Sequence, residues 1–150
     1  MQLASRMTRF ALLTGTALAL AVTSASAARI YNQTYVPIIV KPSPPFHSTV
    51  TVSSGQRSES INWTAGLSVI VTTHRPKRQG QPGILAARAA TCTLNFGGHA
   101  HLQGGNYLVV SQKGRTITCT LCDSKNKAIQ QSTGEFGPTA PSFTSASPGC

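Results

Sequence analysis

Between Cys92 and Cys122 the chain reads CTLNFGGHAHLQGGNYLVVSQKGRTITCTLC, which gathers three of its four cysteines and two of its four histidines. Two chemistries use such residues. In an extended segment the side chains of His99 and His101 fall on one face, about 6.5 Å apart, a spacing that suits Zn or Cu ligation. The Cys119-x-x-Cys122 spacing is that of a thiolate metal site or a redox dithiol. The other use of an even cysteine count is structural, as two disulfides formed in an oxidising compartment.

Strand parity decides between them. In TCTLNF (91–96), Cys92, Leu94 and Phe96 point one way and Thr91, Thr93 and Asn95 the other. In TITCTL (116–121), Ile117, Cys119 and Leu121 share a face opposite Thr116, Thr118 and Thr120. Both apolar sets must face the core, so Cys92 and Cys119 can meet, and a bridge closing about 28 residues stabilises by roughly 3 kcal/mol. Cys119 and Cys122 are an odd number apart, so on one continuous strand their sulfurs emerge on opposite faces and share no ion. A redox motif would also need a helix after its first cysteine, whereas β-formers and turn formers stand here. Cys122 is left to pair with Cys150, although spacing alone also permits Cys119–Cys122 with Cys92–Cys150.

For His99 and His101, a third ligand would have to come from His47, His74, Asp123 or a cysteine. The flanking Gly97-Gly98 and Gly104-Gly105 favour a turning surface loop with idle histidines over a metal site, so no cofactor is expected.

Catalysis has few candidates. Only Glu59, Asp123 and Glu135 are acidic, too few and too scattered for a facing carboxylate pair. No G-x-S-x-G, P-loop or G-x-G-x-x-G occurs. A ribonuclease-like site, with His99 and His101 as acid and base and Lys113 or Arg115 on the phosphate, is the one enzyme class that survives. No catalytic residue is assigned.

Charge points to binding. MQLASRMTRFALLTGTALALAVTSASA has a basic start, a short apolar stretch and an Ala25-Ser26-Ala27 signal, so cleavage after Ala27 and a secreted or periplasmic location are expected. The apolar stretch falls short of the roughly 20 residues that span a membrane, and no membrane span is expected elsewhere. Removing 27 of 150 residues leaves 123, enough for one domain, with eleven Lys and Arg against three acids, a net +8. Such a balance suits an anionic cell-surface polymer or an acidic secreted protein, with nucleic acid the less expected partner. The densest basic run is His74-Arg75-Pro76-Lys77-Arg78, and Arg75, Lys77, Arg78, Lys113 and Arg115 are the candidate anion-binding or partner-binding residues. Trp63 is read as core rather than as a sugar platform. Asn32-Gln-Thr34 and Asn62-Trp-Thr64 are glycan acceptors only in a host that modifies exported chains.

The elements that must position these residues are short and β-rich. ARIYNQTYVPIIV (28–40), interrupted by Pro37, is an edge strand or two short strands; KPSPPF (41–46) is a connector. STVTVSSG (48–55) puts Val50 and Val52 inward; SESINWTAG (58–66) and LSVIVTTH (67–74) follow as strands. ILAARAA (84–90) is the only plausible helix. TCTLNF, NYLVVS (106–111) and TITCTL complete the strands, with a turn at QKGR (112–115) and another at DSKN (123–126). The expectation is one all-β domain over 28–130, a small antiparallel sandwich or barrel of about seven strands with at most one short helix. The stretch 131–150, rich in Ser, Thr, Pro and Gly, is expected to be a flexible tail stapled by Cys150.

Overall fold

The computed structural model describes residues 28–42, 49–61, 68–74, 88–95 and 105–150. The expected signal peptide, Trp63, Asn62 and most of the expected helix lie outside them. Among the described residues there are nine strands and no helix. They are β1 (Arg29–Asn32), β2 (Ile38–Pro42), β3 (Val50–Val52), β4 (Ser68–Thr73), β5 (Thr91–Asn95), β6 (Tyr107–Gly114), β7 (Thr116–Cys122), β8 (Ala128–Glu135) and β9 (Phe143–Thr144). One sheet has the order β1-β6-β7-β8, with β9 continuing alongside β6 past the end of β1; the other is β3-β2-β4-β5. Only β1 with β6 runs parallel; every other pairing is antiparallel.

The two sheets face each other over one core. Ile30, Leu108, Val110, Ile117, Cys119 and Leu121 come from the first sheet, and Ile38, Val40, Val69, Val71, Cys92 and Leu94 from the second. These are the residues that alternation places inward, so hydrophobic burial alone sets the register of β4 to β7. β5 and β8, edge strands of different sheets, lie side by side. Ser132 Oγ accepts from the Thr93 N–H at 3.4 Å, and Gln130 Nε2 donates to the Asn95 carbonyl at 3.0 Å. A Cβ at Gly134 would collide with the Thr91 carbonyl, so only glycine allows this approach.

The stretch 28–40 is two short strands, one of the two expected readings, and they lie in different sheets: Asn32 Oδ1 accepts from the Thr34 N–H at 2.9 Å and turns the chain there. Four expectations need correction. Lys41 and Pro42 belong to β2 rather than to a connector. Residues 58–61 do not form a strand: the Ser58 hydroxyl takes the Ile30 N–H at 2.9 Å in place of a backbone carbonyl, leaving isolated bridges to β1. The third concerns Arg88–Ala90, which run extended into β5, with the Ala90 N–H on Thr73 Oγ1 at 2.9 Å. The last is 131–150, which is built into the fold. Residues 131–135 complete β8, Phe136 and Ala140 enter the core, and the Ser145 hydroxyl donates to the Gln33 carbonyl at 2.7 Å. Composition concealed this because the segment is held by ladder and side-chain hydrogen bonds, which leave no hydrophobic period to read.

Candidate anion-binding surface

The sulfurs answer the chemistry of the opening stretch. Cys92 on β5 bonds Cys119 on β7 across the core, with Cα atoms 6.3 Å apart, and Cys122 bonds Cys150 at 5.9 Å. Cys119 and Cys122 emerge on opposite faces of β7, as their odd spacing requires. No thiol remains for a metal. Among the described residues no three His, Cys, Asp or Glu side chains converge as a metal site would need.

One end of the sandwich collects the described part of the expected basic site. The β6–β7 hairpin turns through Gly114 at φ 64° and Arg115, a two-residue loop with glycine in the position that tolerates a positive φ. Lys113 and Arg115 are both exposed there. Arg115 does not wave freely: its Nη1 donates to the Pro138 carbonyl at 3.1 Å, and its own carbonyl accepts from the Phe136 N–H. The next residue, Gly137, donates to the Arg88 carbonyl at 3.1 Å, which brings a third exposed cation to the same end. Arg115, Thr116, Glu135, Phe136 and Pro138 line a cleft here. Glu135 is the one carboxylate nearby, separated from Lys113 by Thr116 along the row of paired residues.

Arg75, Lys77 and Arg78 lie outside the described residues, but both flanks of their loop are placed. His74, at the end of β4, donates its N–H to the Pro37 carbonyl at 2.8 Å, and Arg88 leads into β5. Both flanks are at the Lys113–Arg115 end, since β4 and β5 pair there through Thr72 and Thr91. The two basic segments that sequence reasoning singled out are therefore tethered at one pole. Arg88 was missed because nothing local marks it; its place depends on Gly137, 49 positions away in the chain.

His99 and His101 also lie outside the described residues. Their loop leaves from Asn95 and returns at Gly105, at the opposite pole, beside the Asp123–Lys127 turn. From Tyr107 to Lys113 is six residues of strand, about 20 Å. The loop flanks are thus not on the Lys113–Arg115 side, as a ribonuclease-like constellation would want. His74 is likewise at the far end from Asp123. Asn32 is 1% exposed and hydrogen-bonded on both sides, so Asn32-Gln-Thr34 accepts no glycan in the folded protein.

Among the described residues no helix is long and apolar enough to cross a membrane. Compared with known proteins, the chain matches no family model, no curated protein and no solved structure.

Proposed function

We propose that the protein is a non-catalytic, exported binding protein that engages an anionic cell-surface polymer or the acidic face of another secreted protein. The contact is made by the pole that carries Lys113, Arg115 and Arg88 and anchors the loop containing Arg75, Lys77 and Arg78. The observation that carries this reading is the convergence of separate basic segments on one end of a disulfide-braced frame, through Arg115–Pro138 and Gly137–Arg88. Pre-fixing Arg115 lowers the conformational cost of docking, and Pro76 limits that of the loop. A net charge of +8 on the exported chain supplies the long-range attraction.

Retention on immobilised heparin tests it. Arg75→Ser/Lys77→Ser/Arg78→Ser should elute at lower salt than the parent, as should Lys113→Ser/Arg115→Ser, and combining them should lower it further. Unchanged elution of all three variants defeats the proposal.

A further inference from the structure

At the opposite pole the outer face of the β1–β6 pair carries a second arrangement that no single stretch of sequence announces. Ile30 and Leu108 point into the core, so Arg29, Tyr31 and Tyr107 point out. Tyr31 and Tyr107 meet edge to face, with ring centroids 5.6 Å apart and planes at 77°. Arg57 bridges to Tyr31 from the far side of β1. The bonds Asn32 N–H to Gln56 carbonyl and Ser58 N–H to Ile30 carbonyl make this a non-hydrogen-bonded pair, the kind with the closer side chains. On the other flank the Tyr107 hydroxyl donates to Asn126 Oδ1 at 2.7 Å, which fixes the turn that presents exposed Lys125 and Lys127.

We propose that Tyr31 and Tyr107, ringed by Arg29, Arg57, Lys125 and Lys127, form a binding site for an acidic polysaccharide of the uronic-acid type. The inference deepens the anionic-partner reading but rests on a different face of the molecule. Two rings at 77° make a floor and a wall, a corner that receives a puckered pyranose through its C–H face. Flat nucleobases stack in series and need platforms that are more nearly parallel. The cations stand around the rings and match carboxylates carried one per sugar. Two acids lie at this pole: exposed Glu59, two residues along from Arg57, and Asp123, which accepts from the Lys125 and Lys127 N–H groups, both at 2.9 Å. Asp123 remains an acceptor for sugar hydroxyls, which a phosphate backbone does not offer in number.

Binding of the full-length oxidised protein to polygalacturonate, neutral dextran and poly(dT) tests this by interferometry. Polygalacturonate should bind, dextran should not, and Tyr31→Ala should weaken polygalacturonate binding at least tenfold while Tyr31→Phe retains it. Arg29→Gln/Arg57→Gln should lose at least tenfold as well. If Tyr31→Ala fails to fold, the single variant Arg57→Gln, altered at an exposed side chain, still reports through a loss of at least threefold. Polygalacturonate binding of Lys113→Ser/Arg115→Ser should stay close to the parent's, so failure here is separable from failure of the Lys113–Arg115 pole. No measurable polygalacturonate binding, Tyr31 and Arg29/Arg57 variants all within twofold of the parent, or tighter binding of poly(dT) lost in Tyr31→Ala would each overturn the assignment.

Discussion

Asn32 holds together two parts of the chain that belong to different sheets. Its Nδ2 donates to the Val36 carbonyl at 2.9 Å and the Val52 carbonyl at 3.0 Å, while Oδ1 accepts from the Thr34 N–H and hydroxyl. Asn32→Ala leaves several of these buried groups without partners, at about 1–3 kcal/mol for each. A loss of at least about 2 kcal/mol is expected, seen as a lower denaturant midpoint at unchanged slope. Asp123 gives a second residue-scale test. The Lys127 backbone N–H, and after it that of Lys125, hold its carboxyl below the ordinary value of 3.8. A carboxyl depressed in the folded state contributes stability above its unfolded value and loses it as pH falls through the lower, folded value. The difference between the parent and Asp123→Asn in denaturant midpoint should therefore be constant above pH 5 and shrink below about pH 4. A difference that persists unchanged to pH 2 refutes the role. The inward cysteines were legible because alternation is a local rule. Asn32 read only as a glycan acceptor, since its true partners are carbonyls that the fold alone brings near.

At the scale of elements, the strands with clean alternation were legible and those stabilised by polar contacts were not. β5 and β7 follow from TCTLN and TITCTLC directly, and their facing cysteines fix which sheets they join. β8 reads AIQQSTGE, with nothing apolar after Ile129, and so its residues 131–135 passed for tail. Its logic lies in Gly134, which lets β8 approach Thr91, and in Ser132 and Gln130, which bond the otherwise open edge of β5. An uncovered edge is a template for unwanted pairing, so β8 protects the second sheet as well as extending the first. Gly134→Val forces the strands apart and should destabilise by about 1–3 kcal/mol. Hydrogen exchange at the Thr93 amide should quicken in this variant more than at Val110, which sits in the centre of the other sheet. Equal changes at both sites would show that the contact is incidental. The basic pole was half legible for a related reason: charge runs are visible in sequence, but the tie from Arg88 to Gly137 is not.

Across the whole molecule, two disulfides close loops of nearly equal length, with sequence separations of 27 and 28, yet they do different work. In the chain-entropy account each contributes about 3 kcal/mol and the two differ by a negligible amount. Their surroundings are unlike. Cys92 and Cys119 are 2% and 0% exposed in the core and lock sheet to sheet. Cys122 lies on the outer face of β7, and Cys150 brings the C-terminal segment back over it. Pro148 and Gly149 share a cleft with Ser111, Thr118, Thr120 and Gln131 on that face. Replacing the core pair by Ala removes the bridge and two sulfurs of the apolar core, against one buried sulfur, Cys122 at 0% exposed, in the outer pair, which adds a larger packing loss, by about 1–2 kcal/mol, to the loop term. Cys92→Ala/Cys119→Ala should therefore have a lower denaturant midpoint than Cys122→Ala/Cys150→Ala, although the loop term alone makes them equal. The second variant should instead speed amide exchange over 145–150 while Leu94 and Val71 stay protected. Matching midpoints, or core exchange that rises when only the outer bridge is cut, would mean that the two bridges brace a single unit. The C-terminal segment would then be as much a part of the sandwich as β7 itself.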